Sequence, residues 1–398
     1  MYKLYCRIYQ SMFKLVANFL PFREPILLEG EGAILELPKQ IKNNNINNVL
    51  IVTDSVLINL GLLDGLFKSL KTEEIQYTVY DKTIPNPTID NIEEALLMYK
   101  ENNCQGIVAF GGGSPIDCAK GVAARVARPK KQISKMQGVL KVLKKTPLLF
   151  AVPTTAGTGS EATIAAVISN AVTHEKYAIN DPVLIPSYAV LDPLLTIGLP
   201  KHITSTTGMD ALTHAVEAYI GRSNTKATII QSENAVKLIF DNLETAFNDG
   251  SNIEARTNML KASYYAGLSF TRAYIGYVHA VAHTLGGFYS IPHGHANAVI
   301  LPYVLDYYGE CVYEPLAKLA DIVNLAENQS KQIKAEAFIT AIKDLNKRMN
   351  IPTKISGIKE EDIPLMVKRA YKESNPLYPV PRIFSKQDLT NIYNMIKE

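Results

Sequence analysis

Histidine is concentrated in one short segment of the chain. Four of the seven histidines, His279, His283, His293 and His295, lie within seventeen residues, in the segment YVHAVAHTLGGFYSIPHGHANA. Glycines and apolar residues surround them, so the segment does not resemble a solvated histidine surface, and one structural core histidine would not explain all four. Imidazole nitrogen suits iron and zinc. The segment therefore predicts a divalent-metal site, although spacing alone does not say which of the four histidines bind.

An acid and a further histidine share a predicted helix, GMDALTHAVEAY. Asp210 and His214 are four residues apart, which places both side chains on one helical face. Alone, such a pair is more often an interaction on a helix surface than a ligand set. Together with two or three of the clustered histidines, it makes a nitrogen and oxygen site suited to iron, zinc or a similar divalent ion.

A glycine-rich turn, GGGSPID, joins a predicted strand to a predicted helix at residues 111–117. Ser114 suits the N-cap of that helix and Pro115 its first position. The helix N-terminus would present unpaired N–H groups to a pyrophosphate. Because the turn is not GxGxxG, a simple tight turn is the alternative.

Two other segments point to the same kind of ligand. Asp54 ends the run VLIVTD, where a carboxylate can accept hydrogen bonds from a ribose diol, and the segment PTTAGTGSE at residues 153–161 follows another predicted strand. A strand-terminal Asp is also a common helix cap, so both roles of Asp54 stay open. Taken together, the three segments favour a dinucleotide.

The elements that must position these residues divide the chain in two. Short apolar runs alternate with helical patterns before Pro200, which predicts a doubly wound, Rossmann-like α/β domain with a mostly parallel sheet. Beyond about residue 206 the pattern is helical throughout and predicts an all-α domain. The predicted strands are Asn48–Val52, Gln76–Tyr80, Gly106–Phe110 and Leu148–Val152, and the predicted helices of the first part include Ile89–Tyr99 and Ile116–Val126.

The first residues form a separate pattern. Basic residues and no acid occur before Glu24, and apolar residues recur at helical spacing, which predicts a short basic amphipathic helix that packs on the body of the protein or on a second subunit. A targeting or membrane role is the less favoured alternative. We therefore expect an extension at 1–25, an NAD-binding α/β domain at 26–200 and a helical metal-binding catalytic domain at 201–398.

Composition excludes several classes of protein. The 398 residues carry a net charge of +3, which gives no reason to expect a nucleic-acid partner. No apolar stretch reaches the roughly 18 residues that a membrane span needs. The four cysteines show no CxxC pair, which favours a reducing compartment, the cytoplasm.

With PNPT at residues 85–88, the motifs GGGSPID, PTTAGTGSE, GMDALTHAVE and HxxxHxxGxxxxxPHG occur in an order that resembles the iron-containing (group III) alcohol dehydrogenases over roughly residues 25 to 395. The resemblance implies that Asp210, His214, His279 and His293 hold the metal, and we expect ferrous iron, with zinc as the alternative. It also implies that His283 faces the nicotinamide and is not a ligand. Cys118, His295 and the N-terminal extension depart from the family pattern.

The resemblance further implies NAD as the cofactor and a small alcohol or aldehyde as the substrate. The implied cofactor contacts are Asp54, Asn86, Gly112, Gly113, Ser114, Asp117, Thr154, Thr155, Thr158 and Lys176. We expect reversible hydride transfer between NAD(H) and a small primary alcohol, diol or aldehyde. His283 would relay the proton, since imidazole exchanges protons near neutral pH. Phe270, Tyr274 and Phe288 suggest a small apolar pocket, and we expect a homodimer or higher homo-oligomer.

Three alternatives remain on sequence grounds. The same fold supports a metal enzyme like dehydroquinate synthase or glycerol dehydrogenase, and a non-catalytic assembly protein could retain it. The interval between His279 and His293 contains no Lys or Arg to bind a polyanionic substrate, which argues against the synthase. A non-catalytic protein would have no reason to keep a full set of metal ligands.

Overall fold

The computed structural model describes residues 1–17, 19–170 and 175–398. These residues form two compact units. One unit comprises Pro21–Leu199, and the other joins Met1–Leu20 to Pro200–Glu398. The N-terminal segment therefore groups with the C-terminal half of the chain.

The unit Pro21–Leu199 has an α/β structure. Its strands are β1 (Ile26–Glu29), β2 (Asn48–Val52), β3 (Gln76–Tyr80), β4 (Gly106–Gly111), β5 (Gly138–Val139), β6 (Leu148–Pro153), β7 (Ala165–Asn170), β8 (Glu175–Asn180) and β9 (Tyr188–Leu191). Its α-helices are α2 (Leu37–Asn43), α3 (Ser55–Asn59), α4 (Asp64–Thr72), α5 (Ile89–Glu101) and α6 (Gly113–Ala127).

Six strands form one parallel sheet in the order β1-β9-β6-β4-β2-β3. Alternate residues of the central strands enter two separate cores, because successive side chains of a strand point to opposite faces. In β2, for example, Leu50 and Val52 pack with α5 and α6, whereas Val49 and Ile51 pack with α2 and α4. The predicted doubly wound α/β fold is confirmed.

The direction of winding reverses between β2 and β4. The chain passes from β2 outward to β3, whereas it passes from β4 to β6 on the other side. In open α/β sheets a ligand binds at the carboxyl ends of the strands at such a reversal. The smaller sheet, β5-β8-β7, lies outside this arrangement and contains the antiparallel pair β7–β8.

The second unit is helical, as predicted. Its helices are α1 (Tyr2–Ala17), α7 (Lys201–Ile220), α8 (Lys226–Asn248), α9 (Ile253–Ala273), α10 (Tyr277–Tyr289), α11 (His293–Tyr308), α12 (Tyr313–Ile322), α13 (Lys331–Arg348), α14 (Ile363–Ser374) and α15 (Lys386–Ile396). Among the described residues of the whole chain, no helix combines the length and the apolarity required to cross a bilayer.

The predicted N-terminal helix exists, but the apolar face expected to be buried is exposed to solvent. Its buried side chains are Cys6 and Gln10, while the apolar residues that define its helical pattern lie in solvent. Those exposed residues are Leu4, Ile8, Met12, Leu15, Val16 and Phe19. Helix α1 thus packs on the protein through polar groups, Cys6 and aromatic rings rather than through its aliphatic side chains.

Candidate active site

Four of the predicted ligands lie together in the helical unit. One potential ligand atom from each of Asp210, His214, His279 and His293 falls within 4.8 Å of every other. Asp210, His214 and His279 are buried, and His293 is partly exposed. Nε2 of His279 lies 3.9 Å and Nε2 of His293 lies 3.6 Å from Oδ1 of Asp210. One carboxylate and three imidazoles at this spacing fit ferrous iron or zinc.

Three helices supply these side chains. Asp210 and His214 come from α7, which is buried along most of its length, so the helix-surface interpretation of this pair is wrong. His279 lies in the first turn of α10, and His293 is the first residue of α11. Gly294 allows the close approach of α11 to α7, because a Cβ there would lie 2.4 Å from the carbonyl oxygen of Thr206.

A buried carboxylate fixes the orientation of His279. Its Nδ1 lies 2.7 Å from Oε2 of Glu217, which directs Nε2 toward the cluster. Glu217 also accepts hydrogen bonds from the backbone N–H groups of Gly276, at 2.8 Å, and Val278, at 2.7 Å. Burial raises the pKa of Glu217 to about 7, although these N–H groups act to lower it. Such an outer carboxylate sets the tautomer of a metal-binding histidine.

Sequence reasoning missed Glu217 and Asn297. The amide Nδ2 of Asn297 donates to Oδ1 of Asp210 at 2.6 Å and lies 3.2 Å from Nε2 of His293. Helical spacing held the signal for both residues. Glu217 is three residues beyond His214 on α7, and Asn297 is four residues beyond His293 on α11, so each shares a face with a predicted ligand.

His283 lies beside the cluster without belonging to it. Its ring stacks on that of His293, with centroids 5.2 Å apart. Its Nδ1 lies 2.6 Å from Oε1 of Glu373, which also accepts a hydrogen bond of 2.7 Å from the hydroxyl of Tyr378. His295 is likewise outside the four-residue cluster.

The three aromatic residues expected to line a pocket have different surroundings. Phe270 stacks on His214, with ring centroids 4.2 Å apart. Tyr274 instead makes an edge contact with Phe13 of α1, and the guanidinium of Arg369 lies over the ring of Phe288. Of these three, Phe270 is the residue whose ring contacts a member of the four-residue cluster.

In the α/β unit, the two glycine-containing segments lie against each other where β4 and β6 end. A Cβ on Gly112 would lie 3.2 Å from Oγ1 of Thr155, and one on Gly113 would lie 2.8 Å from Cγ2 of Thr158. The N–H of Thr154 donates to the carbonyl of Gly111. The glycines therefore permit a close approach that larger residues would prevent.

The predicted start of α6 is wrong by two residues. The helix begins at Gly113 with Gly112 as its N-cap, so Ser114 and Pro115 lie inside the first turn. Gly112 takes the extended cap conformation, and the Ser114 hydroxyl is used elsewhere: its Oγ accepts the N–H of Asn86 at 3.2 Å. Lys176 donates to Oδ1 of Asn86 at 2.7 Å, so three predicted cofactor contacts form one group.

Asp54 follows β2, beside the end of β4, and it caps a helix. Its Oδ1 accepts the N–H of Leu57 at 3.0 Å in the first turn of α3. The capping role left open by the sequence is therefore present. It occurs at the reversal of the sheet, where a ribose is expected to bind.

Asp117 has both carboxylate oxygens engaged within the protein. Oδ1 accepts the hydroxyl of Ser160 at 2.6 Å, and Oδ2 accepts the N–H of Val167 at 3.0 Å. Nearby, the ammonium of Lys120 is fully buried and donates to oxygens of Ser160, Thr163 and Ala165. Asp117 thus connects α6 to the segment that follows β6.

Glu161 lies in the same buried region. The sequence motifs predicted no role for Lys120 or Glu161. Burial raises the pKa of Glu161 to about 7, with Lys120 opposing the shift, and burial lowers the pKa of Lys120 to about 8. The ionisation of Glu161 and of Lys120 therefore affects the stability of the α/β unit near the predicted nucleotide site.

Comparison with known proteins adds the family context. Residues 25–193 match the sequence model described as iron-containing alcohol dehydrogenase, and residues 204–396 match the C-terminal part of the Fe-containing alcohol dehydrogenase family. Alcohol dehydrogenase 4 of Saccharomyces cerevisiae is 40% identical over 372 residues, which cover 92% of this chain and 96% of that protein.

An NAD-dependent methanol dehydrogenase of Bacillus methanolicus is 35% identical over 390 residues, covering 95% of this chain and 99% of that protein. The crystal structure of a 1,3-propanediol oxidoreductase superposes with a TM-score of 0.90 at 36% identity, covering 94% of this chain and 99% of that one. Both family matches begin after α1 ends, so α1 lies outside them.

Proposed function

This chain belongs to the iron-containing alcohol dehydrogenase family and is an NAD-dependent alcohol dehydrogenase, and we propose which residues perform its reaction and on what substrates. The metal ligands are Asp210, His214, His279 and His293. The proton-transferring residue is His283. The substrates are small primary alcohols or diols and the corresponding aldehydes.

The cluster of Asp210 with three histidines is the observation that carries the ligand assignment. Its donor atoms lie within 4.8 Å of one another, and three of the four residues are buried. When bound, the metal stabilises negative charge on the alcohol oxygen as a Lewis acid, and NAD accepts the hydride. Glu217 holds His279 with Nε2 toward the metal position, and Asn297 holds Asp210 by its Oδ1.

His283 is suited to take the proton that the alcohol releases. Its Nδ1–H donates to Glu373, which leaves Nε2 as the nitrogen that exchanges a proton. Stacking on His293 keeps the imidazole next to a proposed ligand, and the hydroxyl of Tyr378 donates to the same oxygen of Glu373 that lies beside His283. The triad His283–Glu373–Tyr378 thereby orients a base without placing it among the ligands.

The nucleotide site uses the sheet edge where β6, β4 and β2 end. The N-terminus of α6, approached closely by Thr155 and Thr158, binds the pyrophosphate. The contacts that we propose for the cofactor are Asp54, Asn86, Gly112, Gly113, Ser114, Asp117, Thr154, Thr155, Thr158 and Lys176. For Asp117 the contribution is indirect, since both its oxygens hold protein groups.

A substrate panel tests this proposal. Primary alcohols, diols and aldehydes of increasing length would be assayed with NAD(H), and the metal content of the same preparation would be measured. We expect steady NADH formation that disappears on chelation and returns with ferrous iron or zinc. A purified, metal-loaded chain that turns over none of these substrates would contradict the proposed substrate class.

We further propose that the enzyme acts in the cytoplasm as a homodimer or higher homo-oligomer. Free thiols at Cys6, Cys104, Cys118 and Cys311 support a reducing compartment. The apolar outer face of α1 supports association with a second copy, because exposing it to water is unfavourable. Cell fractionation and light scattering on the purified chain test the two points, and a membrane fraction or a monomer would contradict them.

A further inference from the structure

The chain between α14 and α15 has no regular secondary structure but is largely buried. Tyr378 and Val380 are 7% and 2% exposed. Carbonyl oxygens in such a segment lack the partners that a helix or sheet would provide, and an unpaired buried carbonyl is costly. The donors for this segment must therefore come from elsewhere in the protein.

Helix α1 supplies them. The side-chain amide Nε2 of Gln10 donates to the carbonyls of Pro376 at 3.1 Å and Tyr378 at 2.7 Å. The guanidinium of Arg7 donates to the carbonyls of Val380 at 2.7 Å and Pro381 at 2.8 Å. Arg7 also donates to Oε1 of Gln10 at 2.9 Å, so the two side chains orient each other.

The same segment reaches the proposed proton-transferring residue through one side chain. Tyr378, whose backbone is held by Gln10, donates its hydroxyl to Oε1 of Glu373 at 2.7 Å. That oxygen lies 2.6 Å from Nδ1 of His283. Four residues, Gln10, Tyr378, Glu373 and His283, thus form a continuous series of hydrogen-bonded contacts.

A second contact of α1 involves the residues just before the helix that carries His283. The rings of Phe13 and Tyr274 meet edge to face, with centroids 5.6 Å apart. Tyr274 takes a left-handed backbone conformation, with φ of 67°, three residues before α10 begins. Because α10 carries His283, α1 contacts both the entry to this helix and the segment that holds its hydrogen-bond partner.

We propose that α1 is a positioning element for His283, acting through Gln10 and Tyr378, and this inference rests on the proposed role of His283. Helix α1 lies outside the residues that match the family, so neither family match covers this arrangement. Gln10 and Arg7 are positioning residues. Their hydrogen bonds join them to each other and to the carbonyls at residues 376–381.

Gln10→Leu in the full chain tests the proposal, since leucine has similar size but no donor. Ser11→Leu is the matched control, because Ser11 is exposed on the same helix. We expect Gln10→Leu to lower kcat roughly tenfold per bound metal, with KM for NAD and the metal content unchanged, and Ser11→Leu to leave all three unchanged. A wild-type kcat for Gln10→Leu would overturn the proposal.

A double-mutant cycle tests the route. Tyr378→Phe removes the hydroxyl that holds Glu373, so Gln10→Leu should lower kcat little further in that background. Reductions that multiply in full would show that Gln10 does not act through Tyr378. Arg7→Met gives a second variant of the same contact should Gln10→Leu fail to fold, and its kcat per bound metal is expected to fall likewise.

A measurement independent of turnover separates this inference from the proposed function. In the zinc-loaded protein, the proton on Nδ1 of His283 should give a downfield NMR signal, identified by its loss in His283→Ala. We expect Gln10→Leu to broaden that signal through exchange with water, while the corresponding signal of His279 stays sharp. An unchanged His283 signal would overturn the inference, whereas an inactive wild type with the expected signals would overturn the proposed function alone.

Discussion

The carboxylate of Glu217 accepts a hydrogen bond from Nδ1 of His279 at 2.7 Å, and both side chains are 1% exposed. The same carboxylate binds the backbone N–H groups that begin α10. One side chain of α7 therefore fixes both the position of α10 and the ring orientation of a proposed metal ligand.

Glu217→Gln should weaken metal binding. The amide keeps the size of the side chain but loses the charge that holds Nδ1–H, and loss of such an outer partner costs about 10- to 100-fold in metal affinity. Competition titration with a chelating dye measures the change. Glu244→Gln, at an exposed ion pair with Arg348, is the control. Equal affinities in the two variants would contradict the role of Glu217.

Two histidines four residues apart on α10 should respond differently to alanine. His279→Ala should lose most bound metal and all activity, because it removes a donor of the cluster. His283→Ala should keep the metal but turn over slowly, because it removes the proton acceptor. Elemental analysis and kcat of both variants decide the matter. Equal metal loss would make His283 a ligand as well.

Gly294→Ala should disrupt the site without changing a ligand. A Cβ at this position would lie 2.4 Å from the carbonyl oxygen of Thr206, so α11 must move away from α7 and carry His293 from Asp210. We expect at least a tenfold loss of metal affinity, on the scale of a lost supporting contact. Gly198→Ala, where a Cβ would meet nothing within 4 Å, is the control. Normal metal binding by Gly294→Ala would refute the close approach.

Asp54→Asn separates the two roles of this residue. Asparagine retains the oxygen that caps α3, so the helix should stay intact, while the negative charge is removed. If the carboxylate repels a 2′-phosphate, kcat/KM for NADPH relative to NADH should rise roughly tenfold. Unchanged cofactor preference with an unchanged Tm would leave Asp54 as a cap only.

The buried Glu161 should make stability depend on pH. Its pKa in the folded chain is about 7, against 4.5 when exposed, so between these values the unfolded chain releases its proton first. The free energy of unfolding should therefore fall by about 2–3 kcal/mol as pH rises from 4.5 to 7, and this contribution is constant above pH 7. Glu161→Gln should lack the decline.

Guanidinium unfolding of both proteins at several pH values measures that difference. Lys120 contributes separately at higher pH, because its lowered pKa makes the folded chain gain stability as pH rises from about 8 toward 10.5. A difference between wild type and Glu161→Gln that does not change from pH 4.5 to 7 would contradict the burial of an ionisable carboxyl at this position.

Periodic patterns predicted the central elements well. Strands β2 and β3 begin and end at the predicted residues. Strand β2 is a buried apolar run, and β3 is a partly buried edge strand rich in β-branched and aromatic residues. Strands β1, β5, β7, β8 and β9 were not predicted. β8, with the sequence EKYAIN, mixes charged and apolar residues, and its structure comes from pairing with β7 rather than from local preference.

The place of the metal cluster was predictable, because histidines are concentrated in one segment and Asp210 and His214 share one helical face. Which of the clustered histidines join it came from the family resemblance alone, since spacing left that choice open. The supporting roles of Glu217 and Asn297 were not predicted. Helical spacing places each on a face with a proposed ligand, but the groups that they contact come from helices distant in sequence.

Which face of α1 is buried could likewise not be predicted from its hydrophobic pattern. The prediction of a helix is correct. Its buried face is determined by the hydrogen bonds of Arg7 and Gln10 to the carbonyls at residues 376–381, which lie close to α1 only in the folded chain.

The pairing of α1 with those carbonyls also sets an order for folding during synthesis. Gln10 and Pro376 are 366 residues apart, so at about 5–20 residues per second roughly 20–70 s separate their appearance on the ribosome. The continuous α/β unit can fold within that interval, whereas the helical unit waits for nearly the whole chain. Until residues 376–381 are made, Arg7 and Gln10 lack the carbonyls that they bind in the folded chain, so α1 cannot take its final place.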